Sequence, residues 1–403
     1  MRVSDDNSLI DLAKSHQMTS AGVEKALAAH GVSIDDIGSI RKISLSNYQS
    51  VVKNEDGDPE IVDLVASKVI ISPAWEEGPK WPVLQPAPPV VVSAPKVPKK
   101  TPALIGGWEI AVVLPDPQIG FRRFDGEELD PFHDEDAMDV AIQITAAVQH
   151  AYGVQQVVNL GDFLDLPQQG KYAQEAAFAL NTQPAIDRGA IFLGEQRAAA
   201  PDANIVLIEG NHDRRMQNFV EINAQSAFGL KKANMPDSWP VLSLPYLMNM
   251  DDLGNYTYID SYPAGVWWIN DNLRAIHGYK VKSNGSTAAA YMTELPHVST
   301  VFGHIHRQEI QSRTTFDRQG RIKSMAISPG CLCRIDGAVP SVHGSIGVDG
   351  RPAIYHENWQ QGVSVITYKP EGSFHVELVH IDEGKTLYQG QEFVSKKLST
   401  EKY

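Results

Sequence analysis

The sequence predicts an α/β protein whose main domain is preceded by a small helical module. Three observations lead to this prediction: strand-like runs alternate with helical patterns, a proline-rich stretch divides the chain, and the composition is that of a globular protein. Hydrophobic residues make up 42% and charged residues 21% of the 403 positions, which excludes a wholly disordered or fibrous chain. At roughly 150 residues per domain, this length allows two to three domains.

Residues 1–72 are expected to form the small helical module. Two short helical patterns there are joined by a turn in which Thr19 or Ser20 can cap the second helix. The arrangement resembles a helix-turn-helix, with Gln17 where that motif usually has a turn glycine. Because the module carries more acidic than basic side chains, DNA binding and docking of a protein partner both remain open.

A proline-rich linker is expected at residues 73–104, where nine prolines occur between Pro73 and Pro102. Such a composition favours a semi-rigid, extended segment. The main domain is then predicted at 105–385. The last residues, 386–403, are polar and are predicted to form a tail.

Charge and cysteine content narrow the range of partners and compartments. The net charge of −14 provides no global basic field for a phosphate backbone, so a contact with DNA or RNA would have to be local. Cys331 and Cys333 are too few for a disulfide framework and are interpreted as ordinary strand cysteines of a reducing compartment. The sequence has no apolar run typical of a signal peptide or a membrane span. We therefore expect a cytoplasmic protein without a membrane partner, and its oligomeric state stays open.

Within the main domain, apolar runs alternate with helical patterns. Strands are predicted at 109–114, 156–160, 205–209, 274–276 and 299–302, and again at 322–327 and 363–368. One helical face after the first strand contains Met138, Ala141, Ile142, Thr145 and Val148. This alternation predicts a layered α/β core that becomes richer in strands after Arg307.

Each of the first five strands is followed by polar residues that can bind a cation. The groups are Asp116-Pro-Gln118, Gly161-Asp162-Phe-Leu-Asp165, Gly210-Asn211-His212-Asp213, His277-Gly278 and Gly303-His304-Ile-His306. Any single group is more simply explained as a turn or a satisfied polar residue. Five in order predict a shared site, because α/β sheets gather their ligands at the carboxyl ends of strands.

These groups resemble the motifs of the calcineurin-like metallophosphoesterase superfamily, which run D-x-H, G-D-x-x-D, G-N-H-D/E, H and G-H-x-H. Four of the five match in full, and the departure is Gln118, where the family usually has His. Over about residues 108–335, the resemblance implies a four-layer αββα sandwich. The linker, the N-terminal module and Gln118 are most similar to bacteriophage or prophage members, which would place the protein in the host cytoplasm.

The resemblance also implies a centre of two divalent cations. The first would be bound by Asp116, Gln118, Asp162 and His306, and the second by Asp162, Asn211, His277 and His304. A short carboxylate such as Asp162 can bridge both cations. The oxygen donor of Gln118 favours Mn²⁺ or Mg²⁺, with Zn²⁺, Fe²⁺ or Ni²⁺ as alternatives. If Gln118 does not ligate, the first position would be weak or empty.

Five further residues are assigned to catalysis or substrate binding. His212 follows the ligand Asn211 and is expected to protonate the leaving oxygen as a general acid. By analogy with the family, Asp165 would orient His212, although a helix cap is a simpler role for it. Three arginines beside the motifs are predicted to bind phosphate, with ordinary surface arginines as the simpler interpretation: Arg214, Arg215 and Arg307.

The expected activity is metal-dependent hydrolysis of phosphate esters. Ser/Thr phosphatases are disfavoured, because Asp165 is followed by Leu166-Pro167 where they carry Arg-Gly, and the third motif ends in Asp213 rather than Glu. A phosphodiesterase or nuclease acting on nucleic acid or nucleotides fits better. The alternatives are a phosphomonoesterase of small substrates, and a DNA- or partner-binding regulatory protein with a vestigial phosphoesterase domain. A zinc peptidase is set aside, because no H-E-x-x-H occurs.

Overall fold

A computed structural model describes residues 37–53, 59–73, 106–123, 128–170, 176–283, 285–318, 320–340 and 357–397. The chain divides into two compact units, Met1–Pro89 and Val90–Tyr403.

The described part of the first unit is a β-hairpin. Strand β1 (Ile37–Lys53) pairs antiparallel with β2 (Pro59–Pro73). The prediction of an entirely helical module over 1–72 is therefore wrong for this part. Val and Ile make up six of the 15 residues of β2, and β-branched residues favour strands over helices. The helix-turn-helix pattern and most of the proline-rich linker lie outside the described residues.

The second unit contains the elements that form the main domain. Its strands are β3 (Glu109–Leu114), β4 (Phe121–Arg123), β5 (Leu129–Pro131), β6 (Gln156–Asn159), β7 (Asn204–Ile208), β8 (Tyr256–Ile259), β9 (Trp267–Asn270), β10 (Leu273–Ile276), β11 (Ser299–Phe302), β12 (Gln308–Asp317), β13 (Gly320–Pro329), β14 (Gln361–Tyr368), β15 (Phe374–Ile381), β16 (Lys385–Tyr388) and β17 (Gln391–Val394). Its helices are α1 (Glu135–Tyr152), α2 (Thr182–Ala199), α3 (Arg214–Asn223), α4 (Leu244–Leu247) and α5 (Thr287–Glu294).

Two sheets organise this unit. The six-stranded sheet has the order β15-β14-β3-β6-β7-β8, and β3, β6, β7 and β8 run parallel. The five-stranded sheet has the order β12-β13-β11-β10-β9, and β10, β11 and β13 run parallel. Parallel neighbours end at the same edge of a sheet, so the loops that follow them are brought together.

Alternate residues of β3 enter different cores, as the period of a strand requires. Val112 and Leu114 pack in a cluster with Met138 of α1 and Phe192 of α2. Val113 faces the other way, into a cluster that includes residues of the five-stranded sheet. Helix α5 packs on the far side of that sheet in a third cluster. The layers thus follow one another as helices, sheet, sheet and helix, and the predicted α/β class is confirmed.

Helix α1 illustrates how the sequence sets the bounds of an element. Asp134 caps its beginning, since the side chain accepts hydrogen bonds from the main-chain N–H groups of Asp136 and Ala137. Gly153, with φ of 83°, ends it in a conformation that suits glycine. Among the described residues, no helix combines the length and apolar character that a bilayer crossing needs.

The C-terminal residues differ from the predicted polar tail at 386–403. Strands β16 and β17 form a hairpin, and Tyr388 and Phe393 are buried in the core cluster beside α1. Each aromatic ring has one apolar neighbour, Leu387 or Val394, in an otherwise polar segment, so the hydrophobic pattern is too short to predict the hairpin. Packing of Tyr388 and Phe393 against the rest of the unit stabilises the hairpin, which the local sequence pattern alone would not specify.

Candidate metal centre

The predicted ligands follow the ends of five strands. Asp116 comes after β3, Asp162 after β6 and Asn211 after β7, all in the six-stranded sheet. His277 follows β10, and His304 and His306 follow β11, both strands of the five-stranded sheet. Both sheets therefore contribute ligands from rigid strand ends, which hold a site more precisely than long loops do.

Five of these residues have a left-handed backbone that side chains rarely adopt. The φ angles are 39° at Asp116, 45° at Gln118, 45° at Asp162, 71° at His304 and 55° at His306. Such conformations cost of order 1–3 kcal/mol each and cluster at functional sites. Their concentration at the predicted ligands indicates that the fold turns these side chains towards a common centre against local preference.

The motif glycines make room for the carboxylates. A Cβ atom at Gly210 would lie 2.1 Å from the main-chain nitrogen of Asp162, and one at Gly303 would lie 2.3 Å from Asp116 Oδ2. Both separations are far below van der Waals contact. Only glycine therefore permits these close approaches, which explains the glycine before each of these two ligand loops.

We expect Gly210→Ala to reduce the free energy of unfolding by about 1–3 kcal/mol, because the added methyl group collides with backbone. Chemical denaturation without metal measures this change. The comparison variant is Gly303→Ala, whose methyl group meets the end of the Asp116 side chain and should weaken Mn²⁺ binding with a smaller loss of stability. Wild-type stability of Gly210→Ala would contradict the close approach.

Two groups of potential ligand atoms meet at one carboxylate. Asp116, Asp162 and His306 form one group, and Asp162, His277 and His304 form the other, with the ligand atoms of each group within 4.8 Å of one another. Asp162 is the shared member, as expected of a residue that bridges two cations. Carboxylate oxygen and imidazole nitrogen suit several divalent metals.

Unpartnered oxygens mark the first position. Asp116 Oδ2 and Gln118 Oε1 are buried without a hydrogen-bond partner among the described residues. Gln118 Nε2 lies 3.1 Å from His306 Nε2, and His306 Nε2 lies 3.6 Å from Asp116 Oδ1. Buried polar atoms without a partner are costly. A cation would contact both of these oxygens, so the residues fit a metal at this position.

A variant tests whether Gln118 contributes to the first position. Gln118→Ala is expected to lower the metal-to-protein ratio, because it removes an oxygen donor while Asn211, His277 and His304 still hold the second cation. Gln118→His should keep the ratio and shift preference towards Zn²⁺, Co²⁺ or Ni²⁺, since imidazole is a softer donor. Metal analysis after dialysis measures both. If the alanine variant retained the full ratio and full turnover, Gln118 would not be a ligand.

Hydrogen bonds orient the side chains that are predicted to bind the second cation. His277 Nδ1 donates to the main-chain oxygen of Leu160 over 2.8 Å. Its Nε2 lies 2.9 Å from Asn211 Oδ1 and 3.3 Å from Asp162 Oδ1. An outer carbonyl of this kind fixes the tautomer that presents Nε2 as a ligand. Nε2 thus lies beside oxygen atoms of two other predicted ligands.

The charges of the centre favour an ionised Asp162 beside one cationic and one neutral imidazole. Burial raises the pKa of Asp162, but His212 and His277 outweigh it and the pKa falls well below its ordinary value. Burial lowers the pKa of His277, yet Asp162 raises it to about 9. Burial and the neighbouring His277 lower the pKa of His304 to about 3. His304 is thus neutral at pH 7, the form in which imidazole ligates a metal.

His212 lies beside this centre and is held from several sides. Its main-chain N–H donates to Asp162 Oδ1 over 2.8 Å, and its Nδ1 bonds to Asp165 Oδ1. Arg215 donates to Asp165 Oδ1 over 3.1 Å and lies 3.1 Å from His212 Nε2. A guanidinium only donates, so Nε2 accepts in this arrangement and Nδ1 carries the proton. Asp165 therefore contacts the imidazole of His212.

The imidazole of His212 is subject to opposing influences. Burial lowers its pKa, but Asp162 and Asp165 outweigh burial and raise it above the ordinary value. The contact with Arg215 favours the neutral form instead. We assign the proton to Nδ1 on the hydrogen-bond geometry. Protonation of Nε2 then requires that Arg215 move away.

Asp213 has a role that the motif alone did not reveal. Its carboxylate accepts hydrogen bonds from the main-chain N–H groups of Gly210, Phe163 and Leu164 over 2.9 to 3.1 Å. It therefore ties the loop after β7 to the loop after β6. Burial and the nearby Asp162 raise the pKa of Asp213 to about 6. Its place at the end of the G-N-H-D motif was the available signal.

Aromatic and thiol side chains support the ligands from outside. The Tyr262 ring packs edge-on against His277 at 5.7 Å, and Trp359 packs against His306 at 4.2 Å, between ring centroids. Cys331 and Cys333 are free and buried, and Cys333 Sγ lies 3.8 Å from His306 Nδ1. Their sequence neighbours gave no sign of these contacts, which depend on distant parts of the chain.

The three predicted phosphate-binding arginines occupy different surroundings. Arg214 and Arg215 line a cavity of about 720 Å³ next to Asn211. Arg214 also pairs with Glu221 over 2.9 Å. Arg307 instead bonds to Glu309 over 3.2 Å and to the main-chain oxygen of Lys282 over 2.6 Å. The Arg307 guanidinium thus connects Glu309 in β12 with the segment before α5, and Arg307 does not line this cavity.

No protein-family model and no curated protein matches this chain. Among solved structures, the fold is similar to the crystal structure of Chaetomium thermophilum Vps29, with 10% sequence identity and a TM-score of 0.28. The match covers 71% of this chain and 95% of the other. At this TM-score, no conclusion about function is drawn from the likeness.

Proposed function

We propose that the protein hydrolyses phosphodiesters with the help of two divalent cations. The observation that carries this proposal is the pair of ligand groups that share Asp162, with His212 bonded to the same carboxylate. The buried, unpartnered oxygens of Asp116 and Gln118 support it, because they have no other evident role. The arrangement also supports membership of the calcineurin-like metallophosphoesterases.

The residues of the chain divide the work of hydrolysis. Bound divalent cations would activate water as the nucleophile and offset charge on the phosphoryl group. Arg215 lies where it can leave His212 Nε2 and bind a phosphate oxygen through its planar donors. His212, freed from that contact, would carry a proton on Nε2 to the leaving oxygen, while Asp165 holds Nδ1.

The donor set guides the choice of metal. Gln118 offers an amide oxygen where the calcineurin-like family usually has the nitrogen of a His. Harder oxygen ligands favour Mn²⁺ or Mg²⁺ relative to softer ions. We therefore propose Mn²⁺ as the first metal to test, with Mg²⁺, Zn²⁺, Fe²⁺ and Ni²⁺ as comparisons.

The completeness of the site argues against a vestigial domain. A regulatory protein that had lost catalysis would have no need to maintain strained ligands at both positions. DNA or RNA as substrate, a DNA-binding role for the N-terminal module, a phage origin and a cytoplasmic location remain parts of the proposal. Each of them requires its own measurement.

The activity is tested with the purified protein and Mn²⁺. The substrates are bis-p-nitrophenyl phosphate, p-nitrophenyl phosphate, single-stranded DNA and duplex DNA, and the control is the same protein treated with EDTA. We expect metal-dependent hydrolysis, with a higher kcat/KM for the diester than for the monoester. Preference for the monoester would indicate a phosphomonoesterase. Absence of hydrolysis of all four with any of the five metals would contradict the proposal.

A further inference from the structure

The cavity beside the metal centre is large enough for an organic group attached to the phosphate. Its volume is about 720 Å³, and it is lined by residues of α3, by the turn Pro167–Gln169 and by Tyr262. Small-molecule sites commonly have about 300–1,000 Å³. Asn211, a predicted metal ligand, also lines it. The cavity therefore begins at the centre and extends away from it.

One face of α3 changes from cationic to apolar along its length. Arg215, Phe219 and Ile222 follow one another at spacings of four and three residues, so they share a face of the helix. Seven residues of helix span about 10 Å. Phe219 is 42% and Ile222 80% exposed, so α3 presents two neighbouring apolar side chains to the cavity that they line.

The turn Pro167–Gln169, which contributes Gln168 and Gln169 to the cavity lining, contains two polar atoms without a hydrogen-bond partner among the described residues. These atoms are Gln168 Nε2 and Gln169 Oε1, and both are buried. One is a donor and the other an acceptor, and both residues line the cavity. A carboxamide donor and acceptor suit the edge of a heterocyclic base. The described lining contains two arginines and no carboxylate, which favours an anionic ligand.

We propose that this cavity binds the nucleoside part of a nucleotide phosphate ester, which deepens the proposed function and rests on it. The phosphate lies towards Arg215, the base stacks on Phe219, and the carboxamides of Gln168 and Gln169 bond to the edge of the base. A lipid chain would leave the carboxamides unsatisfied. A ring that stacks on Phe219 must present an unpaired face and edge, so the ligand is a nucleotide or a single-strand end.

The test compares binding of adenosine 5′-monophosphate with binding of methyl phosphate. Both compete with bis-p-nitrophenyl phosphate in the Mn²⁺-loaded protein, and titration calorimetry measures their binding directly. We expect the nucleotide to bind about 10-fold more tightly or better, in line with base stacking on an aromatic ring. Equal affinities would overturn the proposal.

Two variants locate the effect. Phe219→Ala should remove most of the preference for the nucleotide and leave methyl phosphate binding unchanged. Phe316→Ala is the matched control, because Phe316 is 78% exposed on β12 and does not line the cavity. If Phe219→Ala fails to fold, Phe219→Leu takes its place, since it removes the aromatic ring and keeps an apolar side chain. A preference that survives in a folded Phe219 variant would overturn the proposed location.

The outcome separates this inference from the proposed function. Hydrolysis of bis-p-nitrophenyl phosphate by the unmodified protein tests the metal centre alone. Hydrolysis without nucleotide preference would retain the proposed function and reject the nucleoside site. Nucleotide preference in calorimetry without hydrolysis of any ester would support the site and reject the activity.

Discussion

Asp162→Asn is expected to abolish hydrolysis and to reduce metal binding at both positions. Asp162 belongs to both ligand groups, so its replacement affects two cations at once. Loss of an outer partner of a ligand typically costs 10–100-fold in metal affinity or activity. Loss of the shared ligand itself should exceed about 100-fold. Steady-state hydrolysis of bis-p-nitrophenyl phosphate and metal analysis measure the two effects.

The same variant should lose the stabilisation that metal provides. A ligand that binds only the folded protein raises its stability by RT ln(1 + [L]/Kd), so Mn²⁺ should raise the Tm of the wild type but not that of Asp162→Asn. Asp237→Asn is the control, because Asp237 is exposed and lies outside the site. A normal metal ratio and a normal Mn²⁺-dependent Tm in Asp162→Asn would show that Asp162 does not bridge.

His212→Gln is expected to slow turnover by about 10²–10⁴-fold for substrates with alkoxide leaving groups, the range for general acid–base catalysis. It should slow p-nitrophenolate departure much less, because that group leaves without a proton. His212 contacts Asp162 through its main-chain N–H, which glutamine retains. Metal binding should therefore be preserved. Kinetics with matched alkyl and nitrophenyl diesters measure the difference.

Asp165→Asn provides a second measurement on the same unit. Asp165 acts on the leaving group only through His212, so the double variant should be little slower than His212→Gln alone. Equal slowing of alkoxide and nitrophenolate departure by His212→Gln would contradict its role as the proton donor.

The strands that carry ligands were predictable from local pattern. The predicted runs 109–114 and 299–302 coincide with β3 and β11, because each is a short, continuous apolar run followed by polar residues. The hairpins β1–β2 and β16–β17 were not predicted. Tyr388 and Phe393 belong to two-residue apolar pairs with Leu387 and Val394, too short to predict strands, and only their burial in the core shows their role.

The sequence identified the residues of the candidate site but not the contacts between them. Strand-end position and residue type placed Asp162 and His277 among the residues able to bind a cation, and the family resemblance implied their roles as ligands. No sequence pattern indicates that Asp213 joins two loops, or that Arg215 contacts His212 and Asp165. The contacts of Asp213 with Phe163 and Leu164, and of Arg215 with Asp165, join residues some 50 positions apart, and spacing alone cannot specify them.

The central claim is that the strand ends hold two divalent cations. The most direct measurement is the Mn²⁺ content of the purified full-length protein after equilibration with Mn²⁺ and removal of free metal, determined by elemental analysis beside Asp162→Asn. The account predicts two Mn²⁺ per chain in the wild type and a large loss in the variant. A wild-type protein that retains no Mn²⁺ and no other divalent metal, or a variant that retains the same amount, would contradict it.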